Sequence, residues 1–263
     1  MSDTVTRSRQ GSVLTLRLNR PGKLNAFNDE MTEALLAALR DAAADMEVRA
    51  VVLGGTGRAY SSGQDLETFV ERALQPVEFS VAEHLRRGYN VLVRQIRTME
   101  KPVIAALNGV AAGVGLSIAL CCDLRVAAQD AQLTLGFSKI GLIPDGGGSF
   151  MLPLLAGFGR ALELAWTSDR IDAAEALRLG LVNRVVPSAS FLEETAAYAA
   201  RFAEISPVAV GLTKRAFNRA VIPHFERWLD EEADLQEEAA HGPDLREGVL
   251  AFMQKRKPAF AGG

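Results

Sequence analysis

The chain has 263 residues, 48% hydrophobic and 23% charged, with 29 Lys and Arg against 32 Asp and Glu for a net charge of −3. That composition suits a globular chain able to bury a large core, and it excludes intrinsic disorder. With six lysines and an acidic balance there is no general electrostatic attraction for nucleic acid or an anionic membrane surface.

In chain order, Met1–Gln10 is polar and lacks the apolar core of a signal peptide. Val13–Leu18 alternates apolar and polar residues, which predicts a half-exposed strand. A turn over 19–28 leads into an amphipathic helix over Asp29–Ala44, with Met31, Leu35, Leu36 and Leu39 on one face. Ala50–Leu53 reads as a buried strand running into a glycine- and serine-rich loop over 54–66, the kind of loop that exposes backbone N–H groups at a strand end. A softer stretch over 67–80, containing Pro76, precedes a long helix over about 81–99. The order then repeats: strand Pro102–Leu107, glycine-rich turn 108–115, apolar helix Leu116–Cys122. Leu124–Ala127 and Leu133–Leu135 read as further short strands. Beyond Arg160 the pattern predicts helices over 161–166, 172–179, 191–204, 207–219, 223–240 and 243–254, with one brief strand over 181–186. Three of these helices begin at Pro207, Pro223 and Pro243, where the missing N–H is harmless. No window holds the roughly 18 apolar residues of a membrane span. No linker separates this helical tail, which is expected to pack on the α/β core or on a neighbouring subunit.

Cys121 and Cys122 are adjacent in an apolar run, which excludes a disulfide framework and points to buried free thiols in a reducing compartment, hence a cytoplasmic protein. His84, His224 and His241 lack metal-ligand spacing and read as structural or surface residues, so no metal is expected. Gly113-Val-Gly115 is an incomplete dinucleotide fingerprint, since Ile118 stands where its last glycine belongs, and a nicotinamide cofactor is not expected.

Two strand–loop–helix units thus precede Phe137–Ser149, an apolar, glycine-rich stretch with the single carboxylate Asp145. Pro144 and the glycines after Asp145 set that carboxylate on backbone that can approach a ligand closely, as a catalytic base requires. The same residues equally describe an Asp N-cap before an apolar helix starting near Gly148.

Five motifs in order carry a family resemblance: Asn19-Arg-Pro-Gly-Lys-Leu-Asn-Ala26, Tyr60-Ser-Ser-Gly-Gln-Asp-Leu66, the stretch Lys101 to Gly115, Cys122-Asp-Leu-Arg125 and Gly141-Leu-Ile-Pro-Asp-Gly-Gly-Gly148. In these the chain resembles the crotonase, or enoyl-CoA hydratase/isomerase, family over nearly its whole length. The resemblance implies an α/β fold, a spiral of ββα units over 1–200 that binds acyl-CoA, with a C-terminal helical region over 201–263 used in forming a homotrimer or hexamer. It implies no separate cofactor, the substrate arriving as a coenzyme A thioester. It places the two backbone N–H groups that hold the thioester oxygen at Ser62 and Val114. It puts the CoA adenine and phosphates near Lys23, Leu24, Ala26, Asp65 and Leu66, and further substrate contacts at Ser61, Gly63, Gly113 and Phe137. The basic end Lys255-Arg-Lys257 is either a further phosphate contact across a subunit boundary or a solvated helix end.

Departures from the family narrow the reaction. Where its hydratases carry two water-activating glutamates, the aligned positions are Ser117 and Phe137, and neither is a base at neutral pH. Asp145 falls where ring-epoxide and enoyl-CoA isomerases of phenylacetate degradation carry their catalytic aspartate. The resemblance therefore implies an isomerase with Asp145 as acid/base, in an apolar pocket of Phe137, Ile140, Leu142 and Ile143 that is expected to raise its pKa. The alternatives are a hydratase recruiting Glu67 or Glu71, an aryl-CoA dehalogenase, whose activating histidine is replaced here by Asn90, and a non-catalytic acyl-CoA- or RNA-binding member with Asp145 only a helix cap.

Overall fold

Strand structure begins earlier than the sequence pattern predicts. The structure, a computed structural model, describes residues 4–67 and 79–262. Strand β1 (Val5–Gln10) pairs antiparallel with β2 (Val13–Leu18), Val5 opposite Leu18 and Gln10 opposite Val13. All of β1 except Val5 is exposed, so the alternation that betrays a half-buried strand is missing from its sequence. Helix α1 (Asp29–Ala44) is capped by Asn28, whose side chain accepts the Met31 N–H at 3.0 Å, and it buries Met31, Leu35, Ala38 and Leu39. Strand β3 (Ala50–Gly55) lies parallel to β2 and is buried along its whole length, as a central strand covered on both faces demands.

The chain then forms β4 (Ala59–Ser61), α2 (Val81–Arg87) and α3 (Tyr89–Thr98). The single helix expected over 81–99 breaks at Gly88, where φ −105° and ψ −91° are not helical and a Cβ would stand 3.0 Å from the His84 carbonyl oxygen. A second turn supplies β5 (Val103–Leu107), β6 (Val110–Ala112) and α4 (Gly113–Cys121), and a third supplies β7 (Leu124–Ala128) and β8 (Gln132–Thr134). The next elements are α5 (Gly148–Ala156), α6 (Phe158–Thr167), β9 (Ile171–Asp172), α7 (Ala173–Arg178) and β10 (Arg184–Val186).

Each turn of this spiral gives one strand to each of two sheets, ordered β1-β2-β3-β5-β7-β10 and β4-β6-β8-β9. Pairing is parallel except at β1–β2 and β8–β9. The small strands β4 and β6 lie in stretches that read as glycine loops, because three residues are too few to show a period.

Helix α8 (Phe191–Ala203) covers one face of the large sheet, with Phe191 and Ala199 against Val52, Ile104, Ala106 and Val126. The main core fills the other face, where Val51, Leu53 and Leu107 meet Met31, Leu35, Leu92 and Ile96. Helices α9 (Pro207–Val221), α10 (Phe225–His241) and α11 (Pro243–Met253) complete the chain. α10 packs on α2 and α5, so the tail closes over the chain's own core.

Candidate active site

Successive turns of the spiral end at one cavity of about 560 Å³. Ser62 and Gln64 after β4, Gly113 and Val114 after β6, and Leu135 and Phe137 after β8 all line it. Gly63 and Gly113 turn two of these corners with φ 93° and 52°, and a Cβ on Gly63 would stand 3.0 Å from the Ala112 carbonyl oxygen. Only glycine accepts both that backbone and that approach. Helix α4 starts at the cavity wall, so the Val114 N–H, in its first turn, has no carbonyl four residues back within the helix and adds to the positive end of the helix dipole. The Ser62 N–H, by contrast, donates to the Leu24 carbonyl at 2.9 Å. Leu24 and Asn25 both hold left-handed backbone, φ 51° and 55°, and the Asn25 amide donates to the Thr56 and Ala59 carbonyls at 2.9 and 2.8 Å.

Asp145 is 7% exposed and is the single carboxylate among the described residues that line the cavity. It does not cap a helix. The N-cap of α5 is Gly147, and the Asp145 carboxylate points elsewhere: Oδ2 accepts a hydrogen bond from the Gln236 amide at 2.9 Å, while Oδ1 is buried with no partner among the described residues. Burial first, then the nearby Glu232 carboxylate, push its pKa up to about 8, against the lowering pull of the Gln236 bond. Glu232 is itself fully buried and accepts from the Gly147 N–H at 2.8 Å, the Ser149 N–H at 3.2 Å and the Ser149 hydroxyl. Burial pushes its pKa up to about 7 in spite of those donors.

Of the residues singled out from the sequence, Leu24, Ser62, Leu66, Gly113, Val114, Phe137 and Asp145 converge on this cavity. Lys23, Ala26, Ser61, Gly63 and Asp65 do not line it. Lys23 reaches Glu67 at 2.6 Å on the surface, and Asp65 is buried against Arg20 at 2.8 Å. The Ala26 carbonyl accepts from Arg20, and the buried Ser61 hydroxyl donates to the Asn25 carbonyl at 2.8 Å and receives the Gly63 N–H. Ile140 and Leu142 join Phe137 in the wall, whereas Ile143 is withdrawn, its N–H and carbonyl both bonded to Gln236.

Ser117 is fully buried outside the cavity, beneath the glycine loop, where a Cβ on Gly148 would stand 2.3 Å from its hydroxyl oxygen. Asn90 is buried away from the cavity and donates to the Leu229 carbonyl at 2.9 Å. Glu71 and Pro76 lie outside the described residues. At the C-terminus Arg256 pairs with Glu247 at 2.6 Å.

Four contributors were not legible as site residues in the sequence. Tyr89 and His84, the latter expected to be structural or on the surface, line the cavity and converge on Gln64: the tyrosine hydroxyl donates to Gln64 Oε1, and His84 Nε2 lies 3.3 Å from the same oxygen. Glu232 and Gln236 come from α10, where their four-residue spacing from Trp228 is hidden among exposed acidic neighbours. Among the described residues no cluster of His, Cys, Asp and Glu could hold a metal, and no helix is long and apolar enough to cross a membrane.

Comparison with known proteins agrees with this geometry. The family model described as enoyl-CoA hydratase/isomerase matches residues 8–263. The chain is 40% identical to a 1,2-epoxyphenylacetyl-CoA isomerase of Escherichia coli strain K12 over the full length of both, and 40% identical to a probable enoyl-CoA hydratase of Rhodobacter capsulatus over 94% of this chain and 93% of the relative. A crystal structure of an enoyl-CoA hydratase from Mycobacterium avium subsp. paratuberculosis K-10 superposes with a TM-score of 0.87 at 36% identity, covering 98% of this chain and 99% of that one. With the two-sheet spiral, the stacked glycine corners and the family match in place, the chain belongs to the enoyl-CoA hydratase/isomerase, or crotonase, family.

Proposed function

We propose that this protein is an acyl-CoA isomerase that moves a double bond, or rearranges a ring epoxide, in an acyl-CoA thioester, with Asp145 as the single acid/base. The observation that carries this reading is a buried carboxylate that stands alone among the described residues lining the cavity. One carboxylate suits isomerisation, because it can take a proton from the carbon beside the thioester carbonyl and return it to another carbon of the same dienolate, with no water consumed. The raised pKa matches it to a proton that must go both on and off near neutrality.

Negative charge developing on the thioester oxygen would be met by the Val114 N–H at the start of α4; a preorganised donor of this kind is worth about 3 kcal/mol. Ser62 would act as second donor once the thioester oxygen displaces the Leu24 carbonyl from its N–H. Gln64, His84 and Tyr89 offer hydrogen-bonding groups beside the apolar side chains of Phe137, Ile140 and Leu142, which favours an oxygenated acyl group over a plain alkyl chain. The hydratase route is disfavoured because one glutamate position is Phe137 and the other, Ser117, is sealed beneath the glycine loop. Exposed Phe217 and Val221 on α9 and Phe252 on α11 support assembly into a homotrimer or hexamer.

The test is turnover of crotonyl-CoA, a 3-enoyl-CoA and a ring-unsaturated phenylacetyl-CoA analogue by wild type and Asp145→Asn. Isomerisation lost in the variant, with negligible hydration of crotonyl-CoA by wild type, is the expected result. Brisk hydration that survives Asp145→Asn would sink the reading.

A further inference from the structure

The tail helix α10 meets the site with the Phe225 ring against Gly147 and with a row of polar residues. Trp228, Glu232 and Gln236 recur every four residues and so share one face, and together they bond to the loop that carries Asp145 and to Ser149 in the first turn of α5. Trp228 Nε1 donates to the Ser149 hydroxyl at 2.9 Å, and Glu232 takes the backbone N–H groups of Gly147 and Ser149. Gln236 accepts the Ile143 N–H at 2.9 Å and donates to the Ile143 carbonyl at 3.0 Å and to Asp145 Oδ2 at 2.9 Å. This pattern fixes the amide. Turned over, its NH2 would face the Ile143 N–H, donor against donor, so Gln236 can only donate to Asp145.

We propose that Gln236 and Glu232 are positioning residues for proton transfer, Gln236 tying down Oδ2 so that Oδ1 is the oxygen presented to the substrate, and Glu232 holding the loop while opposing the charge on Asp145. The proposal rests on Asp145 being the acid/base. Oδ1 fits that part, since it is buried and has no partner among the described residues while its twin is engaged. The two helpers act on the carboxylate in opposite senses. A donor stabilises its ionised form, and a neighbouring anion disfavours it. Other titratable groups around the carboxylate are Tyr89 on α3, whose pKa burial first and then Asp145 raise, Cys121 on α4, which burial keeps neutral, and His84 and Lys139 on the cavity wall.

The experiment is a pair of near-isosteric variants, Gln236→Met and Glu232→Gln, read by the pH profile of kcat, by KM, and by a 13C titration of the Asp145 carboxyl, assigned by its loss in Asp145→Asn. Gln236→Met is expected to lower kcat roughly 10- to 100-fold with KM nearly unchanged, and to move the carboxyl titration and the kcat profile up by roughly one pH unit. Glu232→Gln is expected to move both down. If Gln236→Met does not fold, Gln236→Glu keeps an acceptor for the Ile143 N–H and must also move the titration up. Loss of thermal stability with the titration and kcat of the folded enzyme unmoved would overturn the proposal while leaving Asp145 its role. Full isomerase activity in Asp145→Asn would remove both.

Discussion

Asp123 and Asp145 are both aspartates reached by helices of the C-terminal tail, and they are held in opposite ways. Asp123 is ringed by cations and donors: Arg97 at 3.1 Å, Lys214 from α9 at 2.7 Å and the Val103 N–H at 2.9 Å. Lys214 is fully engaged too, donating to the Ile96 and Lys101 carbonyls at 2.8 and 3.2 Å, although burial lowers its pKa. Asp145 has one neutral donor, a second carboxylate near by and an oxygen with no described partner. A buried charge that is compensated on every side fixes structure, whereas one left wanting a proton is ready for chemistry.

Breaking the second site should cost rate without folding, and breaking the first should cost folding without rate. Asp145→Asn is expected to lower isomerisation by about 10²- to 10⁴-fold with its melting temperature preserved or raised, measured by progress curves beside calorimetry. Asp123→Ala strands Lys214 without its counter-ion and should lose about 2–4 kcal/mol in denaturant unfolding, while the folded fraction keeps its kcat. Equal loss of rate in the two variants would erase the distinction.

pH sharpens it. The folded chain holds a proton on Asp145 that the unfolded chain, with a pKa near 3.8, releases. Stability from this group is therefore full below about 3.8 and is lost as pH rises through about 8. Wild type should lose stability across that window relative to Asp145→Asn at about 1.4 kcal/mol per pH unit, a difference on the order of 5 kcal/mol at pH 8. Isomerisation by wild type should instead rise towards pH 8, as the base form fills. A rate that falls over that interval would contradict a base that begins ionised. Smallest is the effect of Gly148→Ala, whose Cβ would press on the Ser117 hydroxyl. About 1–2 kcal/mol of destabilisation is expected, partly relieved by Ser117→Ala in the same chain, as thermal melts would record.

How far these two aspartates could be told apart in advance marks how far the sequence reaches. Asp145 was visible, because local chemistry surrounds it: a proline, glycines and apolar neighbours. Its alternative reading as a helix cap fell only when Gly147 took the cap position and the side chain turned to Gln236. The central strands β3 and β5 were legible from continuous apolar runs, and β1, β4 and β6 were not, being too exposed or too short to carry a period. The break at Gly88 was hidden inside an otherwise helical pattern. Glu232 and Gln236 stand about ninety residues from Asp145 and resemble their solvent-facing neighbours, so nothing local separates them from an ordinary wet helix face.

The small sheet sets a ruler beside the cavity. Neighbouring strands lie about 4.8 Å apart, so corners at the ends of β4, β6 and β8 offer their backbone groups at that interval. Two donors so spaced can both reach one oxygen at about 2.9 Å, and donors two strands apart cannot. An atom seated here is therefore shared by adjacent turns only, and any ligand long enough to touch all three must bring a separate polar atom for the third.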